Sequence, residues 1–382
     1  MGESILEYSF DDLEIGDDLL RGIYSYGFEK PSNIQHKSIP IINSGKDIIA
    51  QSQSGTGKTG AFTIGILNKL DVSLKRTQFI IVTPTHELAK QIFDVITELS
   101  KYMDITMAKV IGKTNISESI SQLKRDPQII VATPGRLMDM INRNHIYTEN
   151  IKSFVLDEAD EMLSSGFMEI VYNIVRTMPK TTQILLYSAT LPGEILELTK
   201  HFMNNPESIL VNKEQLTLEG IRQFYIQLDE YKWKFDVLFD LYETISVTQS
   251  IIYINSKNLL TNLYQKLTSD NYPVSYIHGD MTQIERETNL NNFKNGVTRI
   301  LLSTDLLSRG IDIQQLSLVI NFDLPRDKET YIHRIGRSGR YGRKGVSINL
   351  VTNDELVYMK EIETFYNTKV EVMPKNIGDL LS

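Results

Sequence analysis

The chain has 382 residues, of which 41% are hydrophobic and 23% charged; its net charge is −8 and it contains no cysteine. That length exceeds what one hydrophobic core usually serves and predicts two domains of a water-soluble globular protein. No apolar run reaches about 18 residues and the N-terminus is acidic, so neither a membrane span nor a secretory signal is expected, and disulfides and thiolate metal sites are excluded.

The charge is unevenly placed. Residues 1–20 hold Glu3, Glu7, Asp11, Asp12, Glu14, Asp17 and Asp18 and no base, so removing that −7 from −8 leaves −1 for the rest. Residues 331–345 carry Arg334, Arg337, Arg340, Arg343 and Lys344 with no acid. A local phosphate-binding groove is therefore compatible with the acidic total, whereas unconditional, salt-resistant binding to nucleic acid is not expected.

A helix is expected near Asp18 to Tyr26, ending at Gly27. In the stretch that follows, Phe28 to Gln35, Ser32-x-x-Gln35 has capping-box spacing. A second reading has Phe28 offering a face to an adenine and Gln35 reading its hydrogen-bonding edge; spacing alone leaves both open. The apolar run Ile48-Ile49-Ala50 then leads into Ser52-Gln53-Ser54-Gly55-Thr56-Gly57-Lys58-Thr59 and a helical pattern from Ala61. Strand, glycine-bearing loop and helix are the context of a phosphate-binding loop. Backbone N–H groups across Ser54, Gly55, Thr56 and Gly57 would converge on phosphate. Lys58 would reach the β- and γ-phosphates, and the Thr59 hydroxyl would hold Mg²⁺. The chain is thus expected to bind a nucleoside triphosphate.

Four further short runs alternate with helical patterns: Phe79–Thr83, Ile129–Ala132, Phe154–Leu156 and Ile184–Tyr187. This predicts a parallel sheet flanked by helices, with functional groups at the carboxyl ends of the strands. After the first stand Pro84 and Thr85, and after the second Thr133, Pro134, Gly135 and Arg136; these read as helix caps or as places to hold a backbone phosphate. After the third, Asp157 would supply a Mg²⁺ carboxylate and Glu158 a carboxylate for the attacking water. After the fourth, Ser188 and Thr190 are small hydroxyls able to link the carboxylates to something mobile.

Pro206 to Gly220 shows no clear periodicity, and residues 213–220 are expected to link domain 1 (1–212) to domain 2 (221–382). The second domain repeats the alternation at Ile251–Ile254, Val274–Ile277, Ile300–Ser303, Leu318–Asn321 and Val346–Val351, without a phosphate loop. Thr282 to Glu285 forms a capping box with Arg286 behind it. The run His333-Arg334-Ile335-Gly336-Arg337-Ser338-Gly339-Arg340 is costly to bury unpaired. It is either a solvated basic turn or a source of arginine fingers.

In their order these motifs resemble those of the DEAD-box RNA helicases of superfamily 2, across essentially the whole chain. Leu216 to Phe224, Trp233-Lys234-Phe235-Asp236 and Ser303 to Leu307 are similar to members that act in translation initiation. The resemblance implies two RecA-like domains and an ATP-dependent RNA helicase; an ATP-gated RNA clamp with little turnover is the alternative. It implies that Phe28 and Gln35 select adenine, that Asp312 holds the ribose, and that Arg337 and Arg340 act on the γ-phosphate. Asp160, Ser188, Thr190 and His333 would couple ATP state to closure. RNA would run along Pro84, Thr85, Gly112, Thr133, Gly135 and Arg136, then Asn255, Gln283, Arg286 and Thr304. The expected cofactors are ATP and Mg²⁺; the expected partners are single-stranded RNA and a factor 4G-like scaffold, for a cytoplasmic monomer. Four departures from the family pattern stand out: Ser52 for Ala, His86 for Arg, Lys113 for the second Gly of a pair, and Ser308 for Ala. None removes a residue assigned to the phosphate chemistry, so activity with altered RNA affinity is expected.

Overall fold

The computed structural model describes residues 8–52, 55–112, 114–164, 166–210, 221–244, 249–305, 316–338 and 345–374. The chain forms two compact units, Met1–Val211 and Asn212–Ser382. The first is built on β1 (Ile48–Gln51), β2 (Phe79–Val82), β3 (Met107–Val110), β4 (Ile129–Ala132), β5 (Ser153–Asp157), β6 (Gln183–Ser188) and β7 (Glu207–Ile209). These pair in the order β3-β4-β2-β5-β6-β1-β7, every pairing parallel.

Strand residues alternate between two cores. Ile48, Ala50, Phe79, Ile81, Ile129, Val131, Val155, Leu185 and Tyr187 face one layer of helices. Ile49, Ile80, Val82, Ile130, Ala132, Phe154, Leu156, Ile184 and Leu186 face the other. A strand covered on both faces has no polar side, which is why β2 and β4 read as unbroken apolar runs and are buried throughout.

The second unit contains β8 (Ile221–Leu228), β9 (Ser250–Tyr253), β10 (Val274–Ile277), β11 (Ile300–Ser303), β12 (Leu318–Asn321), β13 (Gly345–Thr352) and β14 (Glu371–Val372). Its order, β10-β11-β9-β12-β13-β8-β14, repeats that of the first unit strand for strand, again in parallel. β8 therefore occupies the place that β1 holds in the first sheet. Two parallel α/β sheets of one topology are the RecA-like pair the motifs imply.

Four strands escape the sequence pattern. β3 is an edge strand with Lys109 on its half-exposed side, and β7 is a three-residue edge piece inside the stretch that shows no periodicity. β8 is interrupted by Arg222, Gln223 and Gln227, and β14 has only two residues. Among the described residues no helix is long and apolar enough to cross a membrane.

One helix crossing depends on a missing side chain. A Cβ at Gly22, in the helix Asp17–Tyr26, would stand 1.9 Å from the Leu99 carbonyl oxygen at the end of the helix His86–Leu99. Backbone cannot give way as a side chain can. Gly22→Ala should cost about 1–3 kcal/mol in urea denaturation; an unchanged midpoint would mean that the two helices part freely.

Candidate functional site

The sheet order decides which motifs meet. β5, β6 and β1 are neighbours, with Asp157 level with Tyr187, Ala50 level with Tyr187, and Gln51 level with Ser188. Ser52 continues the pairing, its N–H donating to the Ser188 carbonyl at 3.0 Å. The chain then turns through Gly55 and Gly57, whose φ angles of 85° and 101° lie in the left-handed region, into the helix Lys58–Asn68. Ser52 and Thr56 join their hydroxyls across the loop. The serine in place of alanine thus adds a tie inside the loop.

The Ser32-x-x-Gln35 stretch serves two structures at once. Gln35 Oε1 accepts the Ser32 N–H at 2.9 Å, as a capping box requires, and Gln35 Nε2 donates to the Gly57 carbonyl at 3.3 Å. A Cβ at Gly60 would lie 2.4 Å from that Nε2 and 3.2 Å from the Phe28 ring. Phe28, Gln35 and the start of the phosphate-loop helix are therefore one packed junction. Phe28 is half-buried, stacked at 6.3 Å on Phe10 and edge-on at 4.9 Å to Tyr26.

Behind the loop lies a buried group of charges. The Lys58 side chain is 7% exposed, and its Nζ is 4.0 Å from Glu158 Oε1. Neither Lys58 Nζ nor Glu158 Oε2 has a hydrogen-bond partner among the described residues. Burial, then the neighbouring Glu158 carboxylate, push Asp157 up to about 7, and Lys58 offsets this only in part. Glu158 adopts a φ of 53°, a strained conformation for a residue with a side chain. Its N–H donates to Asp157 Oδ1 at 3.1 Å. Ungratified buried charges carry a heavy desolvation penalty. A polyphosphate would give Lys58 its acceptors, and a divalent cation would relieve the paired carboxylates; the residues present fit both. Beside them Thr190 Oγ1 donates to Asp160 Oδ2 at 2.5 Å, and the Asp160 N–H donates to Ser188 Oγ at 3.3 Å, which pins the end of β5 to that of β6.

The other half of the sheet, β3-β4-β2, brings together the carboxyl-end residues expected along RNA. Thr85 Oγ1 accepts the Leu88 N–H at 3.3 Å as a helix cap. The Thr133 hydroxyl accepts instead from the Gly112 N–H at 2.9 Å and so bridges β4 to β3. A Cβ on Gly112 would be 3.7 Å from His86 Nε2, while Gly135 has open space around it. Pro134 opens the helix Pro134–Asn142. Arg136 is turned aside, donating to the Thr114 carbonyl at 2.9 Å and to Ser119 Oγ at 3.2 Å. Pro84, Thr85, Gly112, Thr133 and Gly135 thus share one edge, with Arg136 bracing its flank.

In the second unit the described part of the basic run, His333 to Ser338, is buried rather than a solvated turn. Arg334 is wholly buried in the helix Lys328–Ile335 and donates to four acceptors: Asp305 at 2.6 Å, Asn321 at 3.2 Å, the Asp323 carbonyl at 2.6 Å and Asn255 Oδ1 at 2.7 Å. Arg337 Nε donates to the His333 carbonyl at 3.3 Å. Asn255 also donates to the Leu324 carbonyl at 2.7 Å, and Gln283 to Glu287 at 3.3 Å; Arg286 holds the Gly279 carbonyl. Thr304, half-buried just past β11, donates its N–H to the Ile277 carbonyl at 3.4 Å. Ser54, Lys113, Ser308, Asp312, Arg340 and the expected linker lie outside the described residues.

Comparison with known proteins identifies the family. The model of the DEAD/DEAH box helicases matches residues 32–198, and that of the helicase conserved C-terminal domain matches residues 233–342. An ATP-dependent RNA helicase eIF4A from Meyerozyma guilliermondii is 54% identical over 98% of this chain and 95% of its own length. Eukaryotic initiation factor 4A from Caenorhabditis elegans is 51% identical over 98% and 93%. The chain belongs to the DEAD-box RNA helicases. Its backbone is similar to that of S. cerevisiae Dbp5 bound to RNA and ADP BeF3, with a TM-score of 0.90 and 35% identity over 97% of this chain and 96% of that one. Mss116p bound to ssRNA and AMP-PNP gives 0.88 and 27% over 98% and 81%.

Sequence reasoning on this helicase overlooked the anchors of the second unit. Lys234, quoted above only as part of a subfamily signature, is fully buried and paired with Glu355 at 2.9 Å. Its signal was present in the spacing: it shares the buried stripe of the helix Trp233–Thr244 with Leu238 and Leu241.

Asp157 yields a pH-dependent expectation. Its folded pKa of about 7 lies above the reference value of 3.8, so the ionised form is the penalised one. The penalty is absent below the lower value and complete above the upper. In the nucleotide-free protein, Asp157→Asn should therefore raise the melting temperature at about pH 8 by several degrees, and the gain should shrink toward about pH 5. Thermal melts at the two pH values check this; a pH-independent difference would deny the shift.

Proposed function

We infer that the protein is an ATP-dependent RNA helicase acting in translation initiation, which separates RNA strands locally by binding ATP and single-stranded RNA. The observation that carries the reading is the acceptor-less Lys58 ammonium buried beside the Asp157–Glu158 pair at the ends of three adjacent strands. The likeness over nearly the whole chain to helicases named eIF4A supports the pathway.

In this reading the backbone of Ser54, Gly55, Thr56 and Gly57 cradles the phosphates and Lys58 binds the β- and γ-oxygens. Phe28 and Gln35 select adenine, and Asp312 holds the ribose. Thr59 and Asp157 would hold Mg²⁺, which when bound offsets phosphate charge. Glu158 orients the attacking water, and Arg337 and Arg340 stabilise charge on the transferred phosphoryl group. Asp160, Ser188, Thr190 and His333 relay nucleotide state; the hydrogen bond between Thr190 and Asp160 supports a relay within the first unit. RNA follows Pro84, Thr85, Gly112, Thr133, Gly135 and Arg136, and Asn255, Gln283, Arg286 and Thr304, through phosphates and 2′-hydroxyls and hence with slight sequence preference. The protein works as a cytoplasmic monomer recruited by a factor 4G-like scaffold.

Glu158→Gln should bind fluorescent ATP analogues and RNA as the wild type does while phosphate release falls by at least about a hundredfold, in the range typical for loss of a positioned catalytic group. Hydrolysis at the wild-type rate would remove Glu158 from the mechanism. Unwinding of a short duplex through many turnovers tests the helicase itself; RNA retained without strand release would make the protein a clamp.

His86 sits beside Gly112 on the proposed RNA edge. Arginine there adds a permanent charge and a planar fork. His86→Arg should tighten single-stranded RNA and steepen the log–log salt dependence by roughly 0.7. Titrations at several salt concentrations give the slope directly, and an unchanged one would show that position 86 faces away from RNA.

A further inference from the structure

The second unit carries a carboxylate to which none of these roles is assigned. Asp323 lies just past β12 and is buried. Its Oδ2 accepts the Asn255 N–H at 2.8 Å, at the turn leaving β9. Its Oδ1 accepts the Tyr231 hydroxyl at 2.6 Å and stands 3.8 Å from Lys234 Nζ. Its carbonyl, on the other side, accepts from Arg334 at 2.6 Å. Lys234 is itself held by Glu355 and lies 4.7 Å from the centre of the Tyr231 ring. Glu355 in turn accepts from the Thr352 N–H at 2.9 Å at the end of β13.

One residue thus touches both working sides of the unit. The Asn255 turn is a proposed RNA contact, while Arg334 belongs to the helix that holds His333 and leads to Arg337. Asn255 leaves little of its own side chain for a ligand, since its amide already serves Leu324 and Arg334. What fixes the attitude of its backbone is the Asp323 carboxylate, and what fixes the carboxylate is Tyr231 and Lys234. Charge-assisted bonds in a buried network are short and directional, so such a chain transmits position rather than merely adding stability.

We propose that Asp323, backed by Tyr231 and Lys234, is a positioning residue whose carboxylate holds the Asn255 turn in its RNA-binding attitude beside the arginine-bearing helix. The proposal rests on reading Asn255 as part of the RNA track. An amide at position 323 offers one oxygen to the two donors, the Asn255 N–H and the Tyr231 hydroxyl, that the carboxylate satisfies together, so the turn is held less firmly and RNA must order it as it binds. The cost then falls on RNA affinity; once RNA saturates, the turn is ordered and turnover recovers.

RNA-stimulated ATP hydrolysis by the full chain separates the possibilities. Asp323→Asn keeps the shape and one acceptor but loses the charge. The RNA concentration for half-maximal stimulation should rise about three- to tenfold. Turnover at saturating RNA and KM for ATP should each stay within about twofold, a range in which the turn, once ordered, carries no further cost. Tyr231→Phe removes one donor from a ring that is 40% exposed, and should shift the same quantity in the same direction by less. It carries the test alone should Asp323→Asn melt early. Lower turnover at unchanged half-saturation is what lost active protein would give, and overturns the proposal, as does a half-saturation that does not move. Absence of RNA stimulation in the wild type would instead remove the helicase reading, and this proposal with it.

Discussion

Three charges that the fold holds out of water govern the first unit. Lys58, Asp157 and Glu158 come from two ends of the sheet's sequence, yet they meet because β5, β6 and β1 are neighbours. Removing an ammonium and two carboxylates from water with few partners beyond one another is among the costliest things a protein does. The surrounding structure must therefore be rigid enough to impose it. Both faces of the sheet are covered, the loop is tied by Ser52 and Thr56, and Asp160 is fastened to Ser188 and Thr190. The left-handed Glu158 is a second cost borne at the same point.

The second unit shows what the same topology does when its polar corner is satisfied from within. Its strand order repeats the first, but where the first leaves Lys58 without a hydrogen-bond acceptor among the described residues, the second surrounds Arg334 with four. Lys234 likewise has Glu355 and, farther off, Asp323. A fully connected network of this kind specifies geometry, because each member fixes the donors and acceptors of the next. The two units thus differ: among the described residues one buries an ammonium that lacks a hydrogen-bond acceptor, and the other holds its buried cations in a connected set of acceptors.

Much of this was legible before any coordinates. Phe79–Thr83, Ile129–Ala132 and Leu318–Asn321 coincide with strands to within a residue because a strand covered on both faces is built mostly from apolar residues. β3 and β7 were not legible, since an edge strand is half-exposed and can carry Lys109 or Glu207. Gln35 is the instructive case. Its spacing supported a cap and a base-reading role equally, and the structure shows the cap together with a bond to the Gly57 carbonyl that no local pattern encodes. Arg334 received no role from the sequence: a run of arginines suggests a solvated turn or fingers, and only the positions of Asp305, Asn321, Asp323 and Asn255 explain why this one is buried.

The sequence by itself determined the local chemistry: a phosphate loop between strand and helix, carboxylates at a strand end, and arginines late in the chain. Those are properties of short segments, set by backbone conformation and residue type over a few positions, and they are enough to place the chain among DEAD-box helicases. The tertiary structure decided which segments stand side by side. Strand order puts Asp157 and Glu158 against Lys58 across about a hundred residues, and Gly112 against Thr133 across about twenty. It also decided which polar groups are satisfied. Whether a buried charge has a partner depends on atoms brought from distant parts of the chain, and that is why Lys58 and Arg334, alike as buried cations, came to opposite fates.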